Sequence, residues 1–332
     1  MAKEVVVSGI RPTGFLHLGN YFGAMRNYVR MQHEYDCYFF VADWHSLTTH
    51  PDTKELQQHV HRVLAENIAC GLDADKVTLY VQSSIPEISE LYLYLNTMAY
   101  KGELEKTTTF KEKVRLQPDN INAGLLTYPV LQTADVLIHR AVKVPVGKDQ
   151  EQHLEMARNF AERFNYRYEK IFPLPYAFNY QNDLIKIMSL DGNGKMSKSQ
   201  NQMATLYFAD NDDAIRNKIM KAKTDNGPQA LNSDKPDYIE NLFKLMEFVS
   251  SKDVAEKFEE AYNNCSIRYG NMKKQLAEDM IHFIVPIREK AFAIQQDKTY
   301  LSKIIREGAE KGRHSADETL QLVRKAVGVK YV

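Results

Sequence analysis

The sequence predicts an α/β protein, a Rossmann-like doubly wound parallel sheet followed by an all-helical C-terminal domain. Three observations lead there. Through the first half, β-branched and aromatic runs alternate with segments of 3.6-residue periodicity. A glycine-rich turn joins the first such run to the first helical segment. From about Thr205 the strand-like runs stop, and Lys, Glu, Asp, Asn and Ala dominate helical patterns. The 332 residues are about twice a typical domain, so two domains are expected: 1–203, and 204–332 with its last helix packing back on the first.

In chain order, Val5-Val6-Val7 is the first strand and a periodic stretch from Leu18 to Tyr35 completes a βα unit. Tyr38 to Ala42 is the next strand. Thr53 to Cys70 reads as a helix because Leu56, Val60, Val63, Leu64 and Ile68 share one face, Asp52 and Glu55 resemble a capping box, and Gly71 stops it. Val77 to Val81 is the third strand. Lys143 to Val146 then leads into a helix over 149–165 with Leu154, Ala157, Phe160, Ala161 and Phe164 inward. Asp191-Gly192-Asn193-Gly194 reads as a flexible turn between the two regimes, and Ile239 to Val249 typifies the helical part that follows.

Composition narrows the classes of function. Hydrophobic residues at 44% and charged residues at 26% suit a soluble globular core and exclude a disordered chain. With Lys+Arg 43 against Asp+Glu 43, a nucleic acid would have to be met by a local basic patch. Cys37, Cys70 and Cys265 are too far apart for a CxxC site and read as buried thiols in a reducing compartment. No signal peptide or membrane span is apparent, so the cytoplasm is expected.

Two stretches carry chemistry. Ser8-Gly9-Ile10-Arg11-Pro12-Thr13-Gly14-Phe15-Leu16-His17-Leu18-Gly19-Asn20 follows the first strand and opens the first helix. There, glycines let backbone approach a nucleotide, and helical N–H groups face phosphate. The same composition also suits a turn shaped for helix–strand packing. Lys195-Met196-Ser197-Lys198-Ser199, preceded by glycines, puts two cations and two hydroxyls in one loop. They suit the neutralisation of a departing pyrophosphate; a solvated basic loop has the same composition.

His17-Leu-Gly-Asn20 followed far downstream by Lys195-Met-Ser-Lys-Ser199 resembles the paired motifs of the class I aminoacyl-tRNA synthetases. Gly124-Leu-Leu-Thr-Tyr128-Pro129, the Ala134-Asp135 pair, and Val144-Pro-Val-Gly-Lys-Asp-Gln150 are similar to the tryptophanyl members, over nearly the whole chain and least after about residue 225. The resemblance implies that His17 and Asn20 hold ATP phosphates while Lys195, Ser197 and Lys198 follow the pyrophosphate, joined by Lys113 of Phe110-Lys-Glu-Lys113. It implies that Arg11, Thr13, Gly19, Gly147 and Met196 belong to the ATP site. Asp149 and Gln150 would contact the ATP ribose and the amino acid, and Asp135 would receive the indole N–H in a pocket lined by Tyr128 and Gln132. Gln132, Trp44 and Arg11 depart from residues common in relatives.

Chemistry supports the role of Asp135 independently, since indole N–H is a donor without acceptor capacity and a carboxylate is its complement. An acid in this place otherwise pairs with a lysine or caps a turn. His45, His139 and His153 are scattered singly and read as ordinary core or surface residues. No metal-ligand spacing is seen, so Mg²⁺ is expected only with ATP, held by phosphates and water. The resemblance further implies tRNA(Trp) and L-tryptophan as partners and a homodimer. Leu91 to Tyr100 suits either its interface or the core. Arg216, Lys218, Lys221 and Lys223 suit either tRNA backbone contact or a solvated helix face. A tyrosyl enzyme and a non-catalytic paralogue are the alternatives.

Overall fold

The computed structural model describes residues 3–49, 52–147, 151–180, 185–197 and 201–331. In chain order the elements begin β1 (Val5–Ile10), α1 (Leu18–Asn20), a π-helical turn (Tyr21–Met25), α2 (Arg26–Glu34), β2 (Asp36–Val41), α3 (Asp43–Ser46) and α4 (Thr53–Ala69). There follow β3 (Thr78–Val81), α5 (Glu87–Asn96), α6 (Lys101–Glu105), α7 (Thr108–Leu116), α8 (Ala123–Leu137), β4 (Lys143–Val144), α9 (Glu151–Arg167) and β5 (Tyr176–Ala177). The rest is helical: α10 (Asp212–Met220), α11 (Asp237–Val249), α12 (Lys252–Asn263), α13 (Tyr269–Gln296) and α14 (Lys298–Val327). The chain divides into two compact units, each drawn from separate stretches.

The first unit comprises Met1–Thr13, Tyr28–Gln181 and Asp297–Val332. Its five strands form a parallel sheet in the order β3-β2-β1-β4-β5, with Val5 opposite Asp36 and Val6 opposite Lys143. The chain steps outward from β1 to β2 and β3, then returns to the other side of β1. That reversal opens a crevice beyond the carboxyl ends of β1 and β4, where such sheets bind ligands. A core of Phe40, Tyr80, Ile88, Leu91, Leu137, Phe160 and Phe164 packs the sheet against its helices. Asp52 caps α4 by accepting from the Lys54 N–H at 2.9 Å. Gly9 has no room for a side chain, because a Cβ there would lie 2.5 Å from the Phe40 ring. Its bareness therefore serves strand packing.

α14 lies directly on β3, since a Cβ on Gly308 would fall 1.8 Å from the Leu79 carbonyl oxygen. His139 completes the attachment. Its ring faces the Tyr80 hydroxyl at 3.0 Å and Ser315 Oγ of α14 at 3.1 Å, and Tyr38 stacks on it at 4.2 Å. Full burial drives its pKa down to about 3, so the imidazole is neutral there.

The second unit comprises Gly14–Asn27 and Asn182–Gln296. Ile239, Leu242, Phe243, Leu245 and Met246 make the buried face of α11, and Phe22 stacks on Phe248 and Phe283 at 4.5 and 5.9 Å. Three expectations are corrected. The Asp191–Gly194 turn is ordered: Ser189 N–H donates to Gly194 at 3.0 Å, Asn193 N–H donates to Asp191 at 3.0 Å, and Gly192 and Gly194 take the positive φ that only glycine adopts without strain. Lys218 is buried, donating to Asp210 at 2.7 Å and to the Thr205 carbonyl at 2.9 Å, while Arg216 grips Glu278 at 2.8 and 3.0 Å. Their charges are thus spent on folding contacts, leaving Lys221 and Lys223 exposed. Cys265 is also exposed, whereas Cys37 and Cys70 are buried. No helix among the described residues is long and apolar enough to cross a membrane.

Candidate active site

Within the second unit the two sequence motifs meet. Residues 16–18 run alongside 206–208: Leu18 N–H donates to Leu206 and Phe208 N–H donates to Leu16, both at 3.0 Å. This pairing fixes His17, which is 3% exposed, edge-on to Tyr207. Asn20 folds back so that its Oδ1 lies 3.5 Å from the His17 backbone N–H. Gly19 admits the other motif: a Cβ there would stand 3.1 Å from the Met196 carbonyl oxygen. Met196 itself is buried, its N–H donating to Ile187 at 2.9 Å, so it anchors the loop while Lys195 faces solvent. Ser197 lies beside it, its carbonyl accepting from Thr205 Oγ1 at 3.4 Å. Lys198 lies outside the described residues.

Within the first unit, α8 sets Tyr128, Gln132 and Asp135 along one face at helical spacing. Asp135 is 1% exposed. One of its oxygens lies 2.8 Å from His45 Nε2, and the other accepts from Gln82 Nε2 at 2.7 Å. Burial raises the carboxyl's pKa above its ordinary value, and the bonds from His45 and Gln82 oppose that rise. Among the described residues the acid therefore neither pairs with a lysine nor caps a turn. Gln82 Oε1, in a side chain with no exposure, has no hydrogen-bond partner among the described residues, and it cannot exchange places with Nε2 without setting an oxygen against the carboxylate.

Tyr128 is likewise buried, its hydroxyl 2.7 Å from His153 Nε2, with the Lys113 ammonium 4.0 Å above its ring. Burial, then the nearby Arg11 charge, pulls the Lys113 pKa down to about 8. Arg11 and Thr13 form the turn after β1, Thr13 N–H donating to the Arg11 carbonyl at 2.8 Å, and Gly147 follows β4. These are the two strand ends that border the crevice. Asp149 and Gln150 lie outside the described residues. A mainly apolar cavity of about 280 Å³ is lined by Trp44, Leu47, Tyr92, Tyr128 and Leu131, with Thr48, Ser89 and Asn122 at its polar points.

Sequence reading missed His45 and Gln82. Both follow strand ends: β2 and β3 run in register to Val41 opposite Val81, and the residues just beyond them reach Asp135. The rule that ligands sit beyond strand carboxyl ends was the signal that could have found them.

The family model for class I tRNA synthetases of the tryptophan and tyrosine type matches residues 2–284. A tryptophan–tRNA ligase of Porphyromonas gingivalis is 58% identical over 326 residues, covering 98% of this chain and 99% of that protein. One from Clostridium tetani is 39% identical, over 98% and 96%. Among solved structures, tryptophanyl-tRNA synthetase from Campylobacter jejuni complexed with ADP and tryptophan superposes with a TM-score of 0.87 at 31% identity, covering 98% of this chain and 99% of that one.

Proposed function

The chain belongs to the class I tRNA synthetases of the tryptophan and tyrosine family, and on that premise we propose the chemistry of its site. Its activity is that of a tryptophan–tRNA ligase. The tryptophan carboxylate attacks the α-phosphorus of ATP, giving tryptophanyl-adenylate and pyrophosphate. The terminal ribose hydroxyl of tRNA(Trp) then takes the aminoacyl group and releases AMP. Enzyme side chains form no covalent bond in either step, so catalysis is positioning and charge stabilisation.

His17 and Asn20 hold phosphate, with Gly19 keeping the approach open. Lys195, Ser197 and Lys198 follow the charge that grows on pyrophosphate, Met196 holding their loop, and Lys113 adds a further cation. Arg11, Thr13, Gly147 and Asp149 border the nucleotide. Magnesium enters as part of the substrate, carried on ATP phosphates. Tyr128, Gln132 and Gln150 contact tryptophan, and Asp135 accepts its indole N–H. One observation supports that choice of residue: Asp135 is a buried carboxylate whose two known bonds leave acceptor lone pairs unused. His45 and Gln82 orient it. Lys221 and Lys223 remain for tRNA backbone. A homodimer in the cytoplasm is part of the same reading, with exposed Leu93 and Tyr100 available to a second copy.

Asp135→Leu removes the acceptor at similar size, leaving the indole N–H buried without a partner. The expected cost is about 1–3 kcal/mol, or roughly 5- to 150-fold in kcat/KM for tryptophan-dependent ATP–pyrophosphate exchange. An analogue with sulfur or oxygen in place of the ring N–H should be poor for the wild type and lose little more in the variant. Equal losses for both substrates would make Asp135 a structural residue.

A further inference from the structure

We propose that Gln152, in the first turn of α9, is a positioning residue that docks α7 and thereby places the Lys113 ammonium for phosphate. This rests on the reading of Lys113 as a phosphate-binding cation. α7 carries that lysine yet buries none of its own residues, so hydrophobic packing does little to fix it. A helix of nine residues is too short to persist by propensity alone.

Polar tethers supply what packing does not, and both start from adjacent residues of α9. Gln152 Oε1 accepts from the Thr108 N–H at 3.2 Å and from Thr108 Oγ1 at 2.9 Å. Thr107, which stands in the capping position, makes no side-chain cap of its own; its hydroxyl instead donates to Leu104. Gln152 therefore caps α7 from another helix. The next residue, His153, meets the hydroxyl of Tyr128, whose ring underlies Lys113 Nζ at 4.0 Å. One turn of α9 thus locates both the helix that carries the lysine and the ring on which its ammonium rests. The chemistry required of residue 152 is that of an acceptor alone, since both Thr108 groups donate.

The test is tryptophan-dependent ATP–pyrophosphate exchange on the full chain with Gln152→Ala, Gln152→Glu, Lys113→Ala and the Gln152→Ala/Lys113→Ala pair. An acceptor at a helix start changes the docking equilibrium constant about fivefold. Gln152→Ala should therefore lower kcat, by up to about that factor, with KM for tryptophan unchanged. Gln152→Glu, which keeps the acceptor, should restore the rate, and Gln152→Ala should cost nothing further once Lys113 is gone. A wild-type rate for Gln152→Ala beside a slow Lys113→Ala overturns the role of Gln152 alone. A wild-type rate for Lys113→Ala overturns the reading of Lys113 and the proposal with it. A loss that Glu does not restore, or that persists without Lys113, also overturns it, because a general structural defect behaves that way.

Discussion

A carboxylate at position 135 is recognisable from sequence only as the complement of an indole N–H; its environment is not. His45 and Gln82 reach it from residues far away in the chain, and no local pattern records such a partnership. Lys113 shows the same division. Its place in Phe-Lys-Glu-Lys is legible, but its lowered pKa comes from burial first and the Arg11 charge second. The consequence has a definite sign. The ammonium is present below about pH 8 and is lost as pH rises through that value, so kcat/KM for ATP, which reports the free enzyme, should fall on that alkaline limb. Lys113→Arg keeps its charge throughout and should move the limb upward. A limb that stays in place in the arginine variant would assign it to another group.

Strands and helices were legible wherever periodicity was clean. β1, β2 and β3 appear where apolar runs predict them, and α4 occupies Thr53–Ala69 because Val60, Val63, Leu64 and Ile68 fall on its buried face. Features set by tertiary contact were hidden. The Asp191–Gly194 turn looks flexible by composition but is tied by its own hydrogen bonds, and the packing of Gly9 against the Phe40 ring is set from another strand. The strongest such case is Gly308, where α14 touches the β3 backbone. Gly308→Ala forces helix and strand apart and should lower unfolding free energy by roughly 1–3 kcal/mol. Gly270, in α13 with open space around its Cα, should tolerate alanine to within about 1 kcal/mol. Urea unfolding of the two variants checks this; equal stability would mean that α14 does not bear on β3 as described.

At the scale of the molecule, the parallel sheet and the helical remainder follow from the change in periodicity near residue 205, and the paired motifs point to adenylate chemistry. A linear reading has no access to the pairing of residues 16–18 with 206–208, which draws Gly14–Asn27 into the second compact unit. That pairing is why one motif can press on the other through Gly19 and Met196. Substrate identity is carried by whole-chain similarity, and a single assay addresses it. Wild-type protein with Mg·ATP and radiolabelled pyrophosphate should support rapid label exchange with L-tryptophan and at least a hundredfold less with L-tyrosine at equal concentration, about 2.7 kcal/mol of discrimination. Exchange that is equal for the two amino acids, faster with tyrosine, or absent with both would contradict the assignment of this chain as a tryptophan-activating ligase.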